Sequence, residues 1–126
     1  MASPFAVTSL AFPSVATASR RDVLWEDCRN SLGIARLLVQ EQRPRALVAT
    51  ACRTAVETGC RAALEQAGLR FEGDVEGALV RLAAPRGLWD PEELGASAER
   101  LAAAEKVVAW VAGRLRSEAP ERSWGY

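Results

Sequence analysis

Apolar residues recur along this chain with helical rather than strand spacing, from residue 20 almost to the end. In the segment 20–41, Leu24, Cys28, Leu32, Ala35 and Leu38 fall on one stripe, the pattern of an amphipathic helix with one buried face. Ser19 suits the N-cap of that helix, with Asp22 as an acidic variant of the capping-box glutamate. Arg43-Pro44 ends it, because a proline disfavours helical geometry in the residue before it.

A second helix is expected from Pro44, in the first helical position, to Ala67, with Gly68 as the stop. Its stripe reads Leu47, Ala51, Ala55 or Val56, Cys60, Ala63 and Ala67, mostly small side chains that let neighbouring helices come close. After a loop at 69–73, Asp74 caps a short helix to Ala83 with Val75, Leu79 and Leu82 inward. Pro85 to Trp89 is a break. Asp90-Pro91-Glu92-Glu93 then has the cap, first-turn proline and glutamate of a helix start, predicting a last helix over 91–117. Its seam is Leu94, Ala98, Leu101, Val108, Ala112 and Leu115, interrupted by Glu105, which is expected either to pair with an arginine or to specify register. Trp110 and Val111 widen its apolar surface, a width that suggests subunit contact.

The expected fold is therefore all-α: an antiparallel up-and-down four-helix bundle of three long helices and one short one. It occupies residues 20–118, between an extended N-terminal arm at 1–19 and a C-terminal tail at 119–126. The arm carries no charge and lacks the basic start of an export signal. No stretch is long and apolar enough to span a membrane. Three cysteines, without a CxxC pair, suit a reducing compartment, so a cytoplasmic protein is expected.

Composition narrows the chemistry. The 126 residues hold 16 basic and 16 acidic side chains, so bulk charge does not make this a nucleic-acid binder. Histidine is absent, which removes every His-dependent metal, acid–base or nucleophilic scheme. No Glu-x-x-His motif exists for a di-iron bundle, and neither a metal nor another cofactor is expected.

Candidate site residues come mainly from the second helix. Arg53, Glu57, Arg61 and Glu65 recur every fourth residue, one row on the helix surface. The row is either a solvated stabilising face or a groove where Arg53 and Arg61 meet a phosphate or a carboxylate. Trp25 and Trp110, at helical positions, would complete the core or a dimer face. Trp89 in the break and Trp124 with Tyr126 in the tail are candidate partner contacts.

The run from Thr54 to Leu64 resembles the second helix of HEPN domains (higher eukaryotes and prokaryotes nucleotide-binding). That helix carries Ala-Val-Glu, three variable residues, then a basic residue and Ala. Ala55-Val56-Glu57 and Arg61-Ala62 fill those places here, and Gly73-Asp74-Val75 stands where the family often has His-Asp-Leu. Helix order and length are similar over residues 22–117. The resemblance implies a four-helix bundle, commonly a homodimer, often paired with a small nucleotidyltransferase. Active members are metal-independent ribonucleases using an Arg and, four to six residues later, a His. Without histidine, neither Arg114 nor Arg116 completes that motif. The implied role is a non-catalytic subunit that dimerises and binds a partner protein, nucleotide or RNA, with Arg53, Glu57, Arg61 and Asp74 as contact residues. The alternative is a nucleotide- or RNA-processing enzyme that works through an Arg/Glu groove.

Overall fold

In the computed structural model, residues 19–90 and 95–123 are described. They form four helices and no strand: α1 (Arg20–Gln40), α2 (Arg45–Gln66), α3 (Val75–Arg81) and α4 (Ser97–Ser123). The all-α four-helix expectation therefore holds. The proposed arm at residues 1–18 lies outside the described residues, as do Trp124 and Tyr126 of the tail. Among the described residues no helix is long and apolar enough to cross a membrane.

Polar ties between helix ends give the directions. Arg20 and Arg21 at the start of α1 reach Glu65 (3.4 Å) and Gln66 (2.9 Å) at the end of α2, so these helices are antiparallel. Gln66 donates in turn to the Leu115 carbonyl late in α4 (3.2 Å), and Arg45 reaches the Gly95 carbonyl just before α4 (3.5 Å). Helices α2 and α4 are therefore parallel, and the connection between them must travel back along the bundle. The seven residues of α3 lie on that return path, packed against α2, and cover only about 10 Å of a helix that is about 33 Å long. Of the three long helices, α1 thus runs opposite to both α2 and α4, while the third, short element is a brace on α2 rather than a full stave.

Helix α1 buries Leu24, Cys28, Leu32 and Ala35, four of the five stripe residues, and Leu38 is half-buried. The Ser19 hydroxyl accepts from the Asp22 amide at 3.1 Å, as a cap should. Helix α2 departs from the single stripe. Its first buried position is Val48, Leu47 is 45% exposed, Ala51 is half-buried and Ala67 is exposed. Further along, Cys52, Ala55, Val56, Gly59, Cys60, Ala62, Ala63 and Leu64 are all buried. The reason is environment: α2 touches α1, α3 and α4, and a helix with three neighbours buries more than one stripe. Pro44 is the N-cap of α2 rather than its first helical residue. Gly68 ends it at φ 87°, the left-handed geometry a glycine takes without strain.

The last helix starts later and ends later than its sequence signals. Ser97 opens it, and the capping role passes to Glu99, whose carboxylate accepts from the Ala96 amide at 2.9 Å. Pro91 to Leu94 of the expected start lie outside the described residues. The helix runs to Ser123 through Pro120, so the tail boundary at 119 is not a helix end; proline biases its neighbours without forbidding continuation. Its buried seam is Ala104, Val107, Val108, Val111 and Leu115; Ala98 is exposed, and Leu101 and Ala112 are half-buried. Trp89 is a correction. At 7% exposure it belongs to the core, with Arg100 stacked 4.6 Å from its ring centre, so it is not a free contact point. The chain folds the break back over the core, a long-range event that local pattern does not carry.

Helices α1 and α2 approach closely at Gly59. A Cβ added at Gly59 would lie 3.0 Å from the Cys28 sulfur and 3.8 Å from Cζ3 of Trp25. Gly59→Val is expected to lower stability by about 1–3 kcal/mol through overpacking, read in denaturant melts. The three cysteines are free and buried. Burial, which disfavours the thiolate, pushes Cys28 from 9.0 to about 11. It pushes Cys60 from 9.0 to about 12. These raised values favour the folded state below pH about 9, and that stability is lost as pH rises toward 11–12. Aromatic-disulfide titration at pH ~8 should find native thiols silent and all three reactive after denaturation.

Candidate functional site

The row on α2 is brought together as its spacing requires, and each member is tied inside the molecule. Arg53 reaches Glu76 in the first turn of α3 at 3.5 Å. Glu57 pairs with Arg61 at 3.5 Å, the four-residue spacing along one face. Arg61 also donates to the backbone carbonyls of Glu72 (3.4 Å) and Gly73 (3.2 Å), clamping the loop that leads into α3. Glu65 holds Arg20, which reaches Glu72 as well, at 3.5 Å. Asp74 is the N-cap of α3 and accepts from the Gly77 amide at 2.8 Å. The four residues singled out by sequence thus converge on one small region, the junction of α2 with α3. Their visible chemistry is fastening. Arg36, late in α1, is the arginine that meets Glu105, at 2.8 Å.

A second region gathers around Trp25, which the sequence offers for the core or a dimer face, together with arginines that the sequence did not single out. Trp25 is half-buried and lies at the seam of α1 and α4, where packing is sparser than between α1 and α2. It lines two adjoining hollows. One, of about 200 Å³, is bounded by Arg21, Trp25, Ala112, Leu115 and Arg116. The other, of about 440 Å³, runs along α1 past Arg29, Asn30 and Arg36. Arg29 faces only Glu26, at 3.9 Å, and Arg116 has no ion-pair partner among the described residues. An indole flanked by guanidinium groups offers a flat apolar surface beside donors for phosphate or carboxylate. Its signal in the sequence was the spacing of Trp25, Arg29, Leu32 and Arg36 on one side of α1, but the α4 contribution is tertiary.

Trp110 is half-buried against the core, with the Arg114 guanidinium 5.7 Å from its ring centre. Arg114 also donates to the Leu82 carbonyl that ends α3, so it too serves as a fastener. A further hollow of about 310 Å³, between the break and the start of α4, includes Leu88, Asp90, Arg100 and Lys106. Among the described residues no group of three or more His, Cys, Asp or Glu side chains gathers to hold a metal ion.

Because Arg61 anchors two loop carbonyls through a charged donor, Arg61→Ala is expected to cost about 1–2 kcal/mol of stability. Thermal melts would measure it, and Arg61→Lys should recover only part, since one ammonium cannot reproduce the fork of donors.

With this geometry in hand, comparison with known protein families, curated proteins and solved structures finds no match to the chain.

Proposed function

We propose that this chain is a non-catalytic, HEPN-like helical-bundle subunit that self-associates and binds an anionic partner. The partner is a nucleotide or RNA, or an acidic surface on a nucleotidyltransferase-type protein. The observation that carries the reading is the Trp25 groove at the open seam of α1 and α4, where the indole lies beside Arg29 and Arg116, with Arg21 on its wall already donating to Gln66. Phosphates or carboxylates would bind the guanidinium forks while a base or apolar side chain covers the ring. Nothing in this groove offers a proton-transfer pair: its ionisable side chains are arginines and Glu26, and the chain has no histidine. The HEPN resemblance points the same way, to a holder rather than a cutter, because the chain has no histidine to complete the ribonuclease motif. The Arg53, Glu57 and Arg61 row, basis of the enzymatic alternative, is spent on ion pairs and loop carbonyls.

The test uses a labelled single-stranded RNA, followed by anisotropy, and a small nucleotidyltransferase co-expressed with the chain, followed by co-purification. Trp25→Ala and Arg116→Glu are expected to weaken at least one of these by about tenfold or more, with the RNA left intact. Unchanged binding in both variants would overturn the groove. RNA shortened by the purified chain would favour the enzymatic alternative.

A further inference from the structure

Helix α3 lacks most of what makes a helix stable. Its seven residues fall below the ~12–15 at which a helix holds by itself, and Gly77 within it is a poor helix former. Its end is strained. Helices α1, α2 and α3 all close with the same two hydrogen bonds, which in α3 run from the Ala83 amide to the Val80 carbonyl and from the Ala84 amide to the Leu79 carbonyl, both 3.0 Å. That closure needs a left-handed residue. In α2 it is Gly68, but in α3 it is Ala83, at φ 58°, where the Cβ opposes the geometry. Gln42 takes the same position after α1, a helix of 21 residues with a buried face along its length. The fastenings of α3 are few by comparison. Val75, Ala78, Leu79 and Leu82 are buried, while Val80 is 78% exposed. The polar ties come from the long helices: Arg53 to Glu76, Arg61 to the Glu72 and Gly73 carbonyls, and Arg114 to the Leu82 carbonyl. The backbone of α3 lies close to α2 alone among the helices, so lifting it breaks no contact of α1 or α4 with α2.

We infer that α3, with the loop before it and the turn after it, is a latch on α2 that opens as one unit while α1, α2 and α4 stay packed. Its short length, its internal glycine and the strained Ala83 turn all narrow the gap between closed and open states. Four buried side chains, one of them alanine, and the arginine ties hold it shut. What the latch governs is the row on α2. Closed, it occupies Arg53 with Glu76 and Arg61 with two backbone carbonyls. Open, it leaves both guanidinium groups to solvent on one helix face, beside apolar surface of α2 that α3 had covered. Opening also releases Arg114, so the state of the latch is felt on α4. The row that the closed structure spends on fastening is thus bared by a local event rather than by unfolding of the whole chain.

Amide hydrogen exchange on the full chain, followed residue by residue by NMR, tests this. The amides of Leu79 to Leu82 should share one protection factor, at least about tenfold below that of Cys52 to Cys60 in α2. Low denaturant should erode the α2 protection steeply and leave that of α3 almost unchanged, because a local opening exposes little surface. Ala83→Gly should raise the α3 protection by about threefold or more, since glycine takes the left-handed turn without strain. Equal protection in α3 and α2, falling together with denaturant, would show that α3 opens only with the whole molecule and would overturn the latch. Protection graded from one end of α3 to the other would also overturn it, as fraying in place of a unit. An Ala83→Gly chain whose α3 exchanges as fast as the wild type would overturn the strained turn as what loosens the latch.

Discussion

Close contact between α1 and α2 at Gly59 governs the arrangement of everything else. A glycine at this point of α2 gives up about 1 kcal/mol of helix propensity relative to alanine, and in return the Cys28 sulfur sits where a side chain would have been. That approach draws Trp25 in against α2 and holds α1 to one side of it. With α1 held there, the small residues Ala55, Ala62 and Ala63 let α2 serve as the central helix of the described bundle, buried by α1, α3 and α4 together. Helix α1 packs more sparsely on α4 than on α2, and the seam left open is the groove at Trp25.

Polar side chains fasten the rims of this core rather than its interior, and no buried residue among those described is charged or polar. Arg21, Gln66 and the Leu115 carbonyl tie three helices at one end. Arg36 and Glu105 tie two of them midway. Arg53, Arg61 and Arg114 reach the short α3, its loop and its C-cap. A seven-residue helix has few hydrogen bonds of its own and stands only by such tertiary support. Exposed pairs of this kind contribute a fraction of a kcal/mol each, so their value is in positioning more than in stability. Arginine suits the task, because its fork reaches carboxylates and backbone carbonyls alike.

Local chemistry was legible wherever its partner lies within a turn or two along the chain. The Ser19 and Asp74 caps, the Gly68 stop, the α1 stripe and the Glu57–Arg61 pair all depend on neighbours three or four residues away. Errors arose where the partner is distant. Trp89 reads as a loop aromatic, but it is buried by residues from other elements and stacked by Arg100. Asp90-Pro91-Glu92-Glu93 has every mark of a helix start, yet α4 opens at Ser97 with Glu99 as its cap. The candidate row at Arg53, Glu57 and Arg61 was located correctly as a surface, while its occupants, Glu76 and the carbonyls before Asp74, became visible only in three dimensions.

By itself the sequence determined the helical class, the order and approximate length of the elements, and the chemistry excluded by a chain without histidine. It did so because helix periodicity, capping and residue type are properties of short stretches. Only the tertiary structure decided that α2 is central, that α3 is a brace on a returning connection, and that Trp89 belongs to the core. It alone decided that Trp25, with residues of two helices, forms an open groove while the α2 row does not. Each of these depends on which surfaces meet, and that is set by a close approach at Gly59 between residues some thirty positions apart.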